Sequence, residues 1–270
     1  MRSSRLWKRK PANPAINMRT ANVTVERVAM ATTAEERSPK RVLVVMAHPD
    51  DPEFFCGGTI ARWAAMGREV VYCLLTGGDK GSDDDQTPPE ALAELREREQ
   101  RSAAAVLGVQ EVIFLQEEDG YVTPGLALRK DVVRVIRKVR PDVVVTSDPT
   151  NFFPSNRYIN HADHRAAGQV TLDAVYPAAR SALYFPELLQ EEGLAPHKVR
   201  EVYVAGAQHP NVAVDVTEFM DRKLDALREH RSQIKDKEGL IERLQRALLD
   251  PDSPPDEPRY VEHFRRIELR

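Results

Sequence analysis

Short apolar runs alternate with longer amphipathic stretches along this chain, and the alternation indicates its fold class. Continuous runs rich in valine, leucine and isoleucine are typical of parallel strands that are covered on both faces. They predict strands at residues 41–47, 69–76, 112–115, 142–146 and 201–206. Apolar positions at helical spacing, bounded by proline or glycine, predict helices at residues 57–67, 89–107, 127–139, 160–176, 219–234 and 259–267. The order of these elements predicts an α/β fold in which helices wrap a mostly parallel sheet.

Length and composition favour a single Rossmann-like domain. A chain of 270 residues of which 41% are hydrophobic can bury one large core. We predict that residues 40–270 form this domain and that the basic segment before it, residues 1–39, is a disordered N-terminal extension. No apolar run reaches the length of about 18 residues that a membrane-spanning helix needs, so we expect no membrane span.

Charge and cysteine content narrow the class of function. Residues 1–40 hold nine Lys and Arg against three Glu, whereas the rest of the chain holds 30 basic and 39 acidic side chains. An acidic body lacks the basic face that nucleic-acid binding requires, so we expect no nucleic-acid partner. The two cysteines, Cys56 and Cys73, have no paired spacing, which excludes a disulfide framework and fits a cytoplasmic protein. The glycine-rich motif G-x-G-x-x-G, which a nicotinamide-binding fold would carry after its first strand, is missing here, so the sequence does not indicate a dinucleotide-binding protein.

A histidine and two aspartates, His48, Asp50 and Asp51, follow directly after the first predicted strand. Binding sites in open α/β sheets gather at the carboxyl ends of strands. His48 and Asp51 are three positions apart across a turn, so both can face one point, whereas the adjacent side chains of Asp50 and Asp51 diverge in irregular backbone. One carboxylate could therefore bind a metal ion while the other reaches towards a substrate. Glu53 is expected to fix the loop through hydrogen bonds.

A second group of candidate residues, His161, Asp163 and His164, lies at the predicted start of a helix. The i, i+3 spacing places both histidines on one face of that helix. A structural alternative is that Asn160 caps the helix and Asp163 supplies a favourable charge in its first turn. Capping does not account for two histidines in a chain that contains seven. Together the two motifs supply two histidines and one aspartate, a ligand set that is common at catalytic zinc.

This combination of residues predicts metal-assisted hydrolysis of an amide. Zinc bound in this way lowers the pKa of its water to about 7, and Asp50 could then take a proton from that water. Zinc and a cationic His161 could stabilise the oxyanion that forms on the carbonyl group. Either Asp50 or His161 could protonate the departing amine. Iron or another divalent ion suits the same ligands, so zinc is a preference among metals.

Two motifs resemble the signatures of the PIG-L/LmbE-like family of zinc-dependent N-acetylglucosaminyl de-N-acetylases. They are H-P-D-D-P-E at residues 48–53, followed by G-G-T at 57–59, and H-A-D-H-R at 161–165, in which Ala162 stands where the family usually has proline. Weaker similarities are found at residues 96–99 and 230–233. The resemblance covers residues 41–267 and therefore implies a deacetylase domain that fills the chain after the extension.

The resemblance implies a role for each candidate residue. The implied zinc ligands are His48, Asp51 and His164. Asp50 takes the position of the general base, and His161 takes that of the histidine that stabilises the oxyanion, with Asp163 orienting it. Arg96 matches a position that contacts substrate in some members, and the alternative is an ion pair with Glu99 or Gln100 on the helix surface. Tyr158 lies near the place of a mobile tyrosine over the site.

We therefore predict a zinc-dependent hydrolase that removes the N-acetyl group from an N-acetylglucosamine-containing small molecule. Two alternatives stay open, namely a zinc amidase that acts on another small amide conjugate and a non-catalytic sugar-binding module of the same fold. The sequence does not identify the aglycone, although residues 77–88 and 148–160 are expected to set specificity. Apolar helix surfaces are compatible with a homo-oligomer.

Overall fold

The structure is a computed structural model that describes residues 24–26, 40–82, 84 and 86–270. The strands are β1 (Thr24–Glu26), β2 (Arg41–Met46), β3 (Glu69–Thr76), β4 (Glu111–Glu117), β5 (Val143–Ser147), β6 (Glu201–Ala205), β7 (Val212–Asp215) and β8 (Val261–Glu268). The helices are α1 (Asp51–Ala65), α2 (Pro89–Leu107), α3 (Leu126–Val139), α4 (Ala162–Asp173), α5 (Pro186–Gln190), α6 (Met220–Glu229) and α7 (Lys237–Leu248). A π-helical turn (Ala174–Ala178) follows α4, and a 3-10 helix (Thr217–Phe219) precedes α6. Among the described helices, none has the length and apolar character needed to cross a membrane.

One sheet of eight strands, in the order β1-β7-β8-β6-β5-β2-β3-β4, runs through the described residues. Neighbouring strands pair in parallel except at β8, which is antiparallel to both β6 and β7. Helices α3 and α4 pack on one face of the sheet, and helices α1, α2 and α6 pack on the other. The prediction of an α/β fold with a mostly parallel sheet wrapped by helices is confirmed.

Strand β2 shows why the centre of the sheet is apolar at every position. Leu43 and Val45 pack with α3 and α4, while Val42 and Val44 pack on the opposite face, and all four side chains are fully buried. A strand covered on both faces requires a continuous apolar sequence. Because the other predicted strands share this pattern, all five of them are present in the structure.

Strand β1 lies inside the predicted N-terminal extension. Its three residues pair in parallel with β7, so this part of the extension is joined to the sheet. Residues 1–23 and 27–39 lie outside the described residues. The disordered extension and the domain boundary at residue 40 therefore stay predictions.

The prediction is wrong in part of the C-terminal region. The segment predicted as a helix at 259–267 lies mostly in strand β8, in which Val261 and Phe264 are buried. Strands β6 and β7 each offer an edge to this segment, and backbone pairing with both outweighs its weak local preference. The helix predicted at 219–234 ends at Glu229, and the prediction lacks β7 and α7.

Helix α1 starts earlier than predicted and is kinked. The sequence predicts a helix from residue 57, but the structure begins α1 at Asp51, within the first motif. The backbone is non-helical at Cys56 (φ −148°, ψ 16°), so the helix consists of two segments. Cys56 itself is fully buried in the core and belongs to no group of potential metal ligands among the described residues.

A buried ion pair holds α1 at this kink. Glu262 on β8 accepts hydrogen bonds from the backbone N–H groups of Gly58 (3.0 Å) and Thr59 (2.8 Å). Lys223 on α6 donates to Oε1 of Glu262 (2.6 Å) and to the carbonyl oxygen of Phe54 (2.8 Å). The side chains of Lys223 and Glu262 are 0% and 1% exposed. The pair therefore joins α1, α6 and β8 just behind the first motif.

Replacing Lys223 with methionine is expected to lower the free energy of unfolding by about 3–5 kcal/mol, because the Glu262 carboxylate is left buried without its cation. Urea unfolding measures this loss. Arg228→Met is the matched control, since Arg228 and its partner Asp225 are 43% and 58% exposed and such pairs contribute less than about 1 kcal/mol. Equal unfolding free energies for the two variants would contradict the clamping role of the buried pair.

Candidate metal centre and active site

Two neighbouring strands bring the two sequence motifs together. Strands β2 and β5 pair in parallel, so their carboxyl ends lie at the same edge of the sheet. The first motif follows β2 directly, and the second reaches the same edge through the loop 148–160 and begins α4. Helix α4 packs so closely on β5 that a Cβ atom on Gly168 would collide with the carbonyl oxygen of Ser147. This close packing fixes the position of the second motif.

His48, Asp51 and His164 converge at this edge, with their potential ligand atoms within 4.8 Å of one another. Nε2 of His164 lies 3.0 Å from Oδ1 of Asp51, and Nδ1 of His48 lies 3.5 Å from Oδ2 of Asp51. None of the three side chains is more than 12% exposed. Two imidazole nitrogens and a carboxylate in a protected position are a donor set that can hold a divalent metal ion.

A second possible ligand group shares His48 and adds His161 and Asp163. Nε2 of His48 faces this side, at 3.3 Å from Oδ2 of Asp163 and 3.0 Å from Oδ1 of Asp119. The group of His48, Asp51 and His164 fits a metal better, because Nδ1 of His48 then faces the ion. The N–H group at Nε2 of His48 then donates hydrogen bonds to the carboxylates of Asp119 and Asp163. Carboxylates commonly serve metal-binding histidines in this way.

Asp119 is a site residue that sequence reasoning missed. It lies two residues beyond the end of β4, and the adjacent backbone N–H of Gly120 donates to Oδ2 of Asp163 (2.6 Å). Asp119 therefore sits at the same edge of the sheet as both motifs. The only signal in the sequence is an Asp-Gly pair shortly after a predicted strand, which is also typical of an ordinary turn.

Asn160 orients the second histidine of the metal group. Its Oδ1 lies 3.1 Å from Nδ1 of His164, and its Nδ2 donates to the carbonyl oxygen of Asn151 (2.8 Å). A carbonyl oxygen only accepts, so the amide orientation is fixed and His164 carries its proton on Nδ1. The alternative that Asn160 caps the helix is wrong, because the N-cap of α4 is His161, whose Nδ1 accepts from the backbone N–H of Asp163 (3.2 Å).

Replacing Asn160 with alanine is expected to weaken metal binding by about 10–100-fold, because His164 loses the acceptor that fixes its ring. Competition with a fluorescent chelator measures the affinity. Gln208→Ala is the control. Gln208 lies in the loop after β6 and donates to the side chain of Asn151, which is in the same loop as Asn160, but Gln208 touches neither histidine motif. Equal weakening in both variants, or none in either, would contradict the orienting role.

The charges around His48 favour a cation at this place. Burial lowers the pKa of His48, but hydrogen bonds to Asp119, Asp163 and Asp51 outweigh it and raise the pKa to about 12. Burial raises the pKa of Asp51, while the charges and hydrogen bonds of His164 and His48 hold it well below its usual range. The site therefore carries a surplus of negative charge that a metal cation would neutralise.

Asp50 occupies the turn between β2 and α1, with its side chain 17% exposed. Its backbone lies in the left-handed region (φ 89°, ψ −28°), which residues other than glycine rarely adopt. Burial and the adjacent Asp51 raise the pKa of its carboxyl to about 7, against the opposing charges of Arg96 and His230. A carboxyl group with a pKa close to neutrality is suited to taking up and releasing a proton.

Arg96 lines the cavity of about 690 Å³ that opens above these residues. It is 4% exposed, and Nη2 donates to the carbonyl oxygen of Pro49 (2.9 Å) and lies 3.4 Å from Oδ2 of Asp50. Nη1 donates to the carbonyl oxygen of Gly78 (3.0 Å). The alternative of an ion pair on the helix surface is therefore wrong, since the guanidinium group points inward beside Asp50.

His161 and Tyr158 line the same cavity with exposed side chains. Burial and the positive charge of His48 lower the pKa of His161, which favours its neutral form instead of the cationic form expected from the sequence. Glu53 was expected to hydrogen-bond with the loop, but it lies in α1, and its buried carboxylate accepts hydrogen bonds from Gln100 on α2.

The chain is similar over both motifs to proteins that are named as deacetylases. Residues 43–175 match the family model described as PIG-L, GlcNAc-PI de-N-acetylase. Diacetylchitobiose deacetylase of Thermococcus kodakarensis is 37% identical over 194 residues, which cover 72% of this chain and 70% of that protein. A 1D-myo-inositol 2-acetamido-2-deoxy-alpha-D-glucopyranoside deacetylase of Kineococcus radiotolerans is 30% identical over 258 residues, covering 73% of this chain and 69% of that protein.

A solved structure supports the same relationship. N,N'-diacetylchitobiose deacetylase from Pyrococcus horikoshii, in complex with its inhibitor MPG, matches with a TM-score of 0.75 at 30% sequence identity, covering 86% of this chain and 85% of that chain. The sequence relatives and the solved structure therefore indicate the same family. The chain belongs to the PIG-L family of GlcNAc-PI de-N-acetylases.

Proposed function

We propose that the protein is a zinc-dependent N-deacetylase that hydrolyses the acetamido group of a small molecule containing N-acetylglucosamine. The observation that carries this proposal is the position of Asp50 beside the metal group at the floor of one cavity. That group consists of His48, Asp51 and His164. Relatives named for the deacetylation of diacetylchitobiose and of an inositol glycoside support this substrate class.

His48, Asp51 and His164 would hold the zinc ion in this proposal. A bound zinc ion polarises a carbonyl group and lowers the pKa of water to about 7. Two imidazoles and one carboxylate form a set that leaves a position open for substrate, which distinguishes catalytic from structural zinc sites. Imidazole ligands also favour zinc over magnesium or calcium, which prefer oxygen ligands.

Asp50 is the group that moves the proton. Its carboxylate takes a proton from the attacking water and returns it to the departing amine, so one residue serves as base and then as acid. The guanidinium group of Arg96, 3.4 Å away, stabilises the charged form of Asp50. Arg96 also holds the carbonyl oxygen of Pro49 and so keeps the turn in place.

The neutral imidazole ring of His161 stabilises the oxyanion that develops on the substrate carbonyl group. Because Nδ1 accepts a hydrogen bond from the backbone N–H of Asp163, the proton of the neutral ring lies on Nε2 and can be donated to substrate. The carboxylate of Asp163 serves a different purpose, since its Oδ2 bonds with His48 and with the backbone N–H of Gly120. In this proposal the backbone of Asp163 orients His161, and its side chain orients His48.

The test combines metal analysis with product release. Purified zinc-loaded protein is offered a panel of N-acetylglucosaminides, including diacetylchitobiose and an inositol glycoside, with and without a chelator. We expect about one zinc ion per chain and equal release of acetate and free amine, abolished by the chelator. Bound zinc with turnover only of other small amides would favour an amidase of different substrate class. Sugar binding without turnover of any amide would favour a non-catalytic module.

A further inference from the structure

Three buried polar side chains below the cavity have no part in the proposed chemistry. They are Glu53 on α1, Gln100 on α2 and His230 at the end of α6, and each is fully buried. Burying such groups is costly unless hydrogen bonds replace those made with water. Since they come from three different helices, their burial in one place suggests a common purpose.

The three side chains form a hydrogen-bonded chain that ends on Asp50. The backbone N–H of Asp50 donates to Oε1 of Gln100 (2.8 Å). Nε2 of Gln100 donates to both carboxylate oxygens of Glu53 (3.0 and 3.1 Å), and Nε2 of His230 lies 3.2 Å from Oε2 of Glu53. A backbone N–H group only donates, so Oε1 of Gln100 must face Asp50, and the amide nitrogen Nε2 then faces the carboxyl group of Glu53.

The conformation of Asp50 explains why it needs this support. A left-handed backbone in a residue other than glycine persists only where the surrounding structure enforces it. Asp50 is the N-cap residue of α1, but its side chain makes no capping hydrogen bond, which leaves the carboxylate free for the cavity. Arg96 holds the preceding carbonyl group of Pro49. Gln100 holds the N–H group of Asp50 itself.

We propose that Gln100, oriented by Glu53 and His230, is a positioning residue that fixes the turn at Asp50 and thereby directs its carboxylate at the reacting atoms. This inference rests on the proposed function, in which Asp50 is the general base. If the chain of side chains only docked α2 against α1, its loss would reduce stability without acting on turnover through Asp50.

The test is a double-mutant cycle on the zinc-loaded protein. Gln100→Ala is expected to lower kcat for acetate release by about 10–100-fold, because a small displacement of a catalytic group has an effect of this size. KM and zinc content should stay at the wild-type values. In the Asp50→Asn background the same substitution should leave kcat unchanged, because the group that it positions is already disabled.

Rescue by a second substitution separates positioning from folding. Gln100→Glu places two carboxylates together and is expected to lower kcat. In the double variant Glu53→Gln/Gln100→Glu, the amide at position 53 can donate to the carboxylate at position 100, which also accepts from the N–H group of Asp50. This variant should therefore recover part of kcat. Glu262→Gln is the matched control, because it makes the same change at another buried carboxylate beside α1. It should lower Tm and leave kcat unchanged.

Two outcomes overturn this inference alone. They are an unchanged kcat in Gln100→Ala, and an equal loss of kcat from this substitution in the wild-type and Asp50→Asn backgrounds. Full turnover by Asp50→Asn, or no deacetylation by the wild type, overturns the proposed function as well. A failure of the positioning role is thus distinguishable from a failure of the reaction.

Discussion

Replacing Asp50 with asparagine is expected to lower kcat for acetate release by about 10²–10⁴-fold, the usual contribution of a general acid–base group. Asparagine keeps the size of the side chain and the backbone N–H that bonds with Gln100, but it cannot take a proton from water. Asp50 belongs to neither group of potential metal ligands among the described residues, so metal content should not change. Steady-state kinetics and elemental analysis of the same samples measure both quantities.

Asp225→Asn is the control for this experiment. It makes the same chemical change on α6, where the side chain is 58% exposed and does not line the cavity. Its kcat should equal that of the wild type. Wild-type turnover in Asp50→Asn would remove Asp50 from the proposed mechanism, whereas loss of metal together with turnover would make Asp50 a ligand.

The strands that the sequence predicts are those whose own composition determines their state. Strands β2 and β5 have apolar side chains on both faces and are buried along almost their whole length. Strand β8 is different, since the side chains of His263, Arg265 and Glu268 are exposed, and it gains its conformation by pairing with β6 and β7. A local pattern carries no information about such partners, which is why this segment was predicted as a helix.

The two motifs were predictable because each is short and places several chemically distinctive residues together. Gln100 could not be found in this way, since nothing in the sequence distinguishes it from the other polar residues of α2. Its proposed positioning role depends on its burial between Glu53 and the backbone of Asp50, which are close only in the folded chain. Asp119 is a similar case, because its contact with His48 depends on the order of strands in the sheet.

The contacts of Asp163 with the two histidines also depend on geometry that the spacing of residues in the sequence does not reveal. Asp163 is two positions from His161, and side chains at i and i+2 of a helix do not face each other. Its carboxylate reaches His48, 115 positions away in the sequence, while its backbone N–H contacts the ring of His161. The sequence places Asp163 and His161 in one motif, but it does not reveal that the carboxylate of Asp163 contacts His48 and that only its backbone N–H contacts the ring of His161.

Replacing His164 with alanine is expected to remove both metal and turnover. His164 supplies one of three ligand side chains, and its Nε2 lies 3.0 Å from Oδ1 of Asp51, where both can face one ion. Affinity should therefore fall by more than about 100-fold, beyond the range for loss of a group that only orients a ligand. Elemental analysis after dialysis, chelator competition and kcat measure the effect.

His209→Ala is the matched control, since His209 is an exposed histidine in the loop after β6 and does not line the cavity. Metal affinity should be unchanged in this variant, reduced in Asn160→Ala and lowest in His164→Ala. This order of affinities distinguishes a residue without a role at the metal site, His209, from an orienting residue, Asn160, and a ligand, His164. If His164→Ala kept full metal occupancy but lost turnover, the metal would belong to the alternative group of His48, His161 and Asp163, and His164 would act on substrate instead.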